Sequence, residues 1–414
     1  MNQGFTEVFH YFHTPYYDYD YGYIIYLYEY RWLRTQIERM ARQMKISMNT
    51  QELLEGLNTV TRALAARPPK QILEGVLISA ADDRVTLICS DGSLSIEYTT
   101  AADIEEEGQA VLPGRLLTDL IRKLPGGSVS INVQNQRQAQ IKCQKTRSNL
   151  SVMSADEFPE IGYLRSGTKV NIPQKKLKEM ITHVVFAIAT DESRPILTGC
   201  LLEVSRTEAR MVALDGFRLA MQKAFQPFDL PKDKETVKAI IPGKVLTELS
   251  RILQDDDSFC TMLMDQGRLE CRFSNITLSS VLLAGEFIDY RRILPAGFKS
   301  QAVANRSFVQ DAIERASLMA REGKNNLIRM SFRPGTVKIS SNAEMGDVEE
   351  EVEADLIGDN VDIAFNARYL IDVIRNITED QLYMHFNSSV SPCVVTPKDG
   401  DAFLYLILPV RVFQ

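Results

Sequence analysis

Leu112-Pro-Gly-Arg-Leu-Leu-Thr-Asp-Leu-Ile-Arg-Lys-Leu124 has two echoes further along the chain, Ile241-Pro-Gly-Lys-Val-Leu-Thr-Glu-Leu-Ser-Arg-Ile-Leu253 and Phe365-Asn-Ala-Arg-Tyr-Leu-Ile-Asp-Val-Ile-Arg-Asn-Ile377. The copies begin 129 and 124 residues apart, and an internal repeat of that length sets the architecture before any single element is assigned. Other landmarks keep the period. Ser90-Asp-Gly92 returns as Leu214-Asp-Gly216, Glu157-Phe-Pro159 as Glu286-Phe-Ile288, and Cys143 has its counterpart at Cys271.

With Pro113, Pro242 and Asn366 as position zero and about 100° per residue, positions 4, 7, 8 and 11 fall on one side of a helix. They are Leu117, Leu120, Ile121 and Leu124; Leu246, Leu249, Ser250 and Leu253; and Leu370, Val373, Ile374 and Ile377. That stripe is the expected core face. Positions 2 and 9 point the other way, and all three copies place cations there: Arg115 and Arg122, Lys244 and Arg251, Arg368 and Arg375.

The surrounding residues give each repeat a second helix and several short strands. Thr50 to Ala66 carries Leu53, Leu57, Val60 and Leu64 on one face, with Asn49 as N-cap and Glu52 in the first turn, and is read as a helix opening the first repeat. Val85–Cys89, Ser128–Asn132 and Gln140–Cys143 read as strands between Asp-Asp, Asp-Gly and Gly-Gly turns. The expected class is α+β, three repeated domains of two helices on antiparallel sheets. Boundaries fall at the Gly/Ser/Pro-rich stretches 162–168 and 295–300, giving domains 44–167, 168–297 and 298–414.

Six outward cations on three equivalent helices are more than an exposed helix face requires, because the chain as a whole is acidic: 54 Asp and Glu against 47 Lys and Arg, a net charge of −7. The companion helices add Arg62, then Lys175, Lys176 and Lys178, then Arg306 and Arg315. Such surfaces attract a phosphate backbone without reading sequence. Aromatic residues are nearly absent from them, so single strands have little to stack on and duplex is the better ligand. Six helices of ~10 Å diameter enclose too little space for a duplex, whereas twelve leave an opening of roughly 28 Å. The spacing therefore predicts a head-to-tail homodimer closed into a ring.

Composition excludes other classes. A chain of 414 residues, 45% apolar and 24% charged, is an ordinary globular protein. Its six cysteines lack CxxC or Cys/His spacing, so no metal site or disulfide framework is expected and the setting reads as reduced and cytoplasmic. No apolar run approaches the ~18–20 residues of a membrane span. Of 34 aromatic residues, 13 lie in the first 43, including the single Trp32. Since the first repeat begins at Met44 and needs nothing upstream, residues 1–43 are read as an atypical extension from a start placed too far upstream, or as a disordered appendage.

The ordered motifs over 44–414 resemble the bacterial DNA polymerase III beta subunit, or sliding clamp, family: Met44-Lys-Ile-Ser47, Ala66-Arg-Pro68, Val212-Ala-Leu-Asp-Gly-Phe-Arg-Leu-Ala220, Phe287-Ile-Asp-Tyr-Arg-Arg-Ile-Leu-Pro295, Phe365-Asn-Ala-Arg-Tyr369 and Leu408-Pro-Val-Arg411. The resemblance implies a dimeric ring around double-stranded DNA, opened by a clamp loader and tethering the replicative polymerase, in a cytoplasmic, nucleoid-associated setting. It also implies a peptide-binding pocket between the second and third repeats, lined by Leu197, Leu214, Gly216, Phe217, Arg218, Leu219, Ile288, Arg292, Ile293, Asn366, Tyr369, Val390, Leu406, Ile407, Leu408, Pro409, Val410 and Arg411. In this picture the arginines and Asn366 supply polar contacts at the rim. Phe217 stands where many relatives carry His, and Ile288 where many carry Pro. DNA-facing loops would add Arg67, Arg194 and Lys324 at similar places in the three repeats.

Catalysis and cofactors find no support. His183 and His385 have no nucleophile or carboxylate placed beside them, no phosphate-binding glycine motif is present, and the run Glu349-Glu-Glu-Val-Glu353 reads as the solvated face of a strand. A nucleotidyl-transfer enzyme would need a paired-carboxylate metal site, which is not visible. The other reading that survives is a clamp paralogue acting as a peptide-binding scaffold without efficient DNA loading.

Overall fold

The computed structural model describes residues 43–411, except Ala66, Asn135, Gln136, Gln266, Lys324 and Asn325. The reading of residues 1–43 as an atypical extension, and of Lys324 as a DNA contact, therefore falls outside or almost wholly outside the described residues. The first repeat runs β1 (Met44–Asn49), α1 (Thr50–Val60), β2 (Gly75–Ala81), β3 (Arg84–Ser90), β4 (Leu94–Ala101), β5 (Asp103–Glu106), β6 (Gly108–Pro113), α2 (Gly114–Lys123), β7 (Ser128–Gln134), β8 (Gln138–Cys143) and β9 (Thr146–Ser151). The second runs β10 (Thr168–Pro173), α3 (Gln174–Val185), β11 (Gly199–Ser205), β12 (Glu208–Leu214), β13 (Arg218–Phe225), β14 (Thr236–Pro242), α4 (Gly243–Ile252), β15 (Phe259–Met264), β16 (Arg268–Phe273) and β17 (Ile276–Val281). The third runs β18 (Ser300–Asn305), α5 (Arg306–Glu322), β19 (Leu327–Arg333), β20 (Gly335–Ala343), β21 (Gly346–Ile357), β22 (Val361–Asn366), α6 (Ala367–Arg375), β23 (Gln381–Phe386), β24 (Cys393–Thr396) and β25 (Phe403–Ile407).

Contacts divide the chain into two compact units, one formed by the chain through Cys89 with Tyr98–Pro159, the other by Ser90–Glu97 with everything from Glu160 onward. Within the first, β5-β1-β7-β8-β9 form an antiparallel sheet and α1 packs on α2. Within the second, twelve strands share one sheet in the order β14-β11-β12-β13-β25-β24-β23-β18-β21-β20-β19-β22, so the second and third repeats are joined where β13 pairs with β25. The repeat is visible in the hydrogen bonding: β1 pairs antiparallel with β7, β10 with β15 and β18 with β23.

The helices bury most of the expected stripe, with Leu120 and Leu124 of the first repeat only half-buried. Leu117 and Ile121 of α2, Leu246 and Leu249 of α4, and Leu370, Val373 and Ile374 of α6 are all buried. The position taken by Ile121 in the first repeat holds half-buried Ser250 in the second, where Val245 turns inward instead. Each repeat opens on a strand rather than on a helix. Met44, Ile46 and Met48 alternate inward along β1, a pattern that Met, Lys and Asn, weak strand formers, conceal in the sequence. The helix at Thr50 is also shorter than its pattern suggests: Asn49 caps it by accepting from the Gln51 N–H at 2.7 Å, and it gives way to a 3-10 turn at Thr61–Ala63. The acidic run is only partly a solvated face. Glu349, Glu351 and Glu353 are exposed on β21, but Glu350 lies on the other side and accepts both donors of Arg315 at 2.7 and 2.8 Å.

Candidate clamp cleft and nucleic-acid interface

The cleft is built on the β13–β25 pairing. Leu219 faces Leu406 and Arg218 faces Ile407 in register, and the chain continues past β25 with the Leu408 N–H donating to the Phe217 carbonyl at 2.8 Å and the Val410 N–H to the Ala364 carbonyl at 2.8 Å. One face of these strands carries an apolar cluster that includes Leu197, Leu214, Leu219 and Leu406, with Leu408 packed against it. The same cluster holds Tyr290 and Val394, with Phe287 and Leu404 packed against it; the motif reading omitted all four because long-range packing, and not local pattern, brings them to this face. Pro409 and Val410 are half-buried and Arg411 is exposed.

A turn closes one end. Asp215 Oδ1 accepts from the N–H groups of Phe217 and Arg218 at 2.8 and 3.0 Å, and Gly216 supplies the positive φ of 93° that this reversal demands. Phe217 is consequently lifted into solvent, 56% exposed, and its ring stacks on Tyr369 of α6 with centroids 5.6 Å apart. Ile288, Ile293 and Val390 are likewise exposed apolar side chains. Such exposed apolar groups around an apolar cluster mark a binding surface.

Strand alternation sends Arg218 and Ile407 to the opposite, helix-covered side of the sheet. Arg218 is not a rim donor: its side chain is 6% exposed and its donors are taken by Asp215 (3.0 Å), Asp372 of α6 (2.5 Å) and the Phe186 carbonyl (2.6 Å), with the Tyr369 ring 4.8 Å away. Asn366 spends its side chain on the N-cap of α6, accepting from the Arg368 N–H at 3.0 Å. Arg292 alone of the expected rim cations near the 3-10 turn Tyr290–Arg292 is fully outside, at 86% exposure, paired with Asp289 at 2.9 Å. Arg194 is exposed, and its guanidinium also lies beside Gly216, 3.8 Å from where a β-carbon on that glycine would sit.

Next to the cleft, on the same side as the apolar cluster, is a groove of about 700 Å³ lined by Leu201, Ile240, Leu283, Phe287, Ile288 and Tyr290, with Glu203, Lys238 and Arg291 at its polar end. Glu203 Oε2 accepts from the Tyr290 hydroxyl at 2.7 Å and from Arg291 Nη2 at 2.8 Å. Burial acts to raise the Glu203 carboxyl pKa, but the hydrogen bonds from Tyr290 and Lys238 and the Arg291 charge outweigh it and hold the group below the usual carboxylate range.

The helix cations are all exposed, as their spacing predicts: Arg115 and Arg122, Lys244 and Arg251, Arg368 and Arg375. They are not bare. Arg122 donates to Asp119 at 2.6 Å and Asn58 at 3.1 Å, Arg251 to Glu248 at 2.8 Å, Arg375 to Glu314 at 2.9 Å, Lys244 to Asp91, and Arg115 to the Ala65 carbonyl at 3.1 Å. On α3, Lys178 reaches Asp255 at 3.0 Å while Lys175 is exposed. Arg67 is exposed as well. Arg306 and Arg315 are committed within the fold, to the Glu379 carbonyl and to Glu350.

Three family models match in order: the DNA polymerase III beta subunit N-terminal domain over residues 44–162, its central domain over 171–289 and its C-terminal domain over 291–411. The chain belongs to the DNA polymerase III beta subunit family. Relatives called beta sliding clamp, from Bacillus subtilis and Staphylococcus epidermidis, are each 34% identical over 381 and 380 residues, spanning 89% of this chain and 100% of theirs. A crystal structure of the DNA polymerase sliding clamp from Bacillus subtilis superposes with a TM-score of 0.86 at 34% identity, covering 90% of this chain and 100% of that one. A DNA polymerase III beta subunit structure from Thermotoga maritima gives 0.83 at 28% identity, over 89% and 100%. Proteins of the beta subunit family are non-catalytic processivity factors that bind DNA as a homodimeric ring and work with polymerase and clamp loader. Among the described residues, no cluster of His, Cys, Asp and Glu could hold a metal ion, and no helix is long and apolar enough to cross a membrane.

Proposed function

We propose that this chain acts as the processivity clamp of a replicative polymerase in the cytoplasm, with duplex met by Arg67, Arg115, Arg122, Lys175, Lys178, Lys244, Arg251, Arg368 and Arg375, and partner peptides held in the cleft around Phe217, Tyr369 and Leu406. The three domains of the reading are 44–167, 168–297 and 298–414. The observation that carries it is the recurrence of two exposed cations at the same two positions of α2, α4 and α6, opposite the buried stripe. Chance surface charge would not keep that register through three helices of an acidic chain. Contacts of this type hold a backbone without specifying sequence. The scaffold-only alternative accounts for the cleft but leaves the cations repeated on α2, α4 and α6 without a use.

Loading onto nicked circular DNA followed by linearisation tests the reading. The ring is expected to stay on the circle and to leave once ends are available. Protein that remains bound to the linear product, or never accumulates on the circle with its loader and ATP, would contradict it.

A further inference from the structure

Position 6 of the repeated helix is acidic in every copy, Asp119, Glu248 and Asp372, three residues before the outward arginine at position 9. In α2 and α4 that acid grips its own arginine, Asp119 to Arg122 at 2.6 Å and Glu248 to Arg251 at 2.8 Å. In α6 the acid is drawn away to Arg218, and a substitute appears from the companion helix: Glu314 of α5 takes both Nε and Nη2 of Arg375, at 3.2 and 2.9 Å. The three arginine side chains are 48%, 55% and 57% exposed. A carboxylate at each of them thus persists even where the repeated residue has another task.

Exposed pairs of this kind add little to stability. Their effect is on what an approaching phosphate meets. A cation that already faces a carboxylate offers a phosphate little net charge, and it releases fewer counterions than a bare arginine would. We propose that Asp119, Glu248 and Glu314 are positioning residues that weaken the hold of Arg122, Arg251 and Arg375 on duplex, so that no register along the backbone is favoured and the ring moves freely. The inference rests on the DNA-facing reading of these helices. Retention comes from closure of the ring; the side chains need only keep the duplex centred. Five cations of the proposed interface are so paired, the other two being Lys178 with Asp255 and Lys244 with Asp91.

The test uses the full-length dimer in two measurements: binding to a fluorescent linear duplex across a salt series, and one-dimensional diffusion of the loaded ring on stretched duplex. The variant Asp119→Asn, Glu248→Gln, Glu314→Gln is expected to steepen the dependence of log K on log salt by about 2 to 3, near 0.9 for each arginine released, and to slow diffusion at least threefold. A second variant, Arg122→Ala, Arg251→Ala, Arg375→Ala, separates the two readings. If it flattens the salt dependence while the acid variant matches the parent in both measurements, the inference fails and the DNA face stands. If neither variant moves the slope, the DNA face fails and the inference goes with it.

Discussion

Nη1 of Arg218, on β13, lies 2.5 Å from Oδ2 of Asp372, on α6. The pair ties β13, the strand beneath the apolar cluster, to the helix that carries Arg368 and Arg375. Because the Arg218 side chain is 6% exposed, its charge is held by Asp215, Asp372 and the Phe186 carbonyl and has no water to fall back on. Replacing Arg218 with Met leaves two carboxylates facing an apolar group, and the expected loss is about 3 kcal/mol. Urea unfolding of the variant measures it. Asp372→Asn keeps an acceptor for Nη1 and should lose less than half as much; equal losses would show that packing, and not charge, holds the site.

Phe217 offers a cleaner handle on the cleft. It is 56% exposed and touches the fold chiefly through its stack on Tyr369, so Phe217→Ala should barely change thermal stability. Its ring is an anchor a bound peptide can cover, and losing it should weaken binding of a peptide from the cognate polymerase by roughly tenfold, about 1.4 kcal/mol. Fluorescence anisotropy with the labelled peptide reads this directly. Unchanged affinity would place the peptide elsewhere.

His385 predicts an acid sensitivity. Its ring stacks on Phe298 at 4.7 Å and its Nε2 meets the Thr396 hydroxyl at 2.9 Å, and burial holds the imidazole pKa below its ordinary value. A depressed histidine favours the neutral form in the fold, so the unfolded chain binds more protons between the two pKa values. The contribution is whole above about pH 6.5 and is lost as pH falls below it. Urea midpoints should drop between pH 7.5 and 5.5, and the drop should be smaller in His385→Gln. An identical drop in the variant would assign the effect to other groups, of which His183, also depressed by burial, is the first to try.

All six cysteines are buried, and burial pushes the thiols of Cys89, Cys200 and Cys393 far above their ordinary range. Thiolate is the reactive form. The native protein should therefore resist a disulfide-exchange reagent for hours, with all six thiols reacting at once in denaturant. Rapid labelling of a native cysteine would show local opening of its strand.

The helix repeat was legible because its signal is local: period, cap and charge all sit within thirteen residues, and the structure keeps each outward cation where 100° per residue puts it. The pairing of Arg122 with Asp119 was within reach of the same arithmetic, since three residues on a helix bring side chains together. Asp372 stands at the same spacing from Arg375 and does otherwise, because a buried arginine 154 residues away in sequence competes for it and the buried site is the stronger. Arg218 was misplaced at the rim for a related reason. Which face of β13 a residue occupies depends on its register with β25, and that is not written in the local pattern.

The pairing of β13 with β25 has a consequence for synthesis. Leu219 waits for Leu406, so the second repeat leaves the ribosome with an open strand edge that only the final ten residues of the described chain close. Contacts so distant in sequence form late. A nascent chain therefore cannot complete the apolar cluster around Leu219 and Leu406 until the strand Phe403–Ile407 has been made. A chain cut short before Phe403 would keep an open β13 edge and lack the apolar cluster that Leu404 and Leu406 complete.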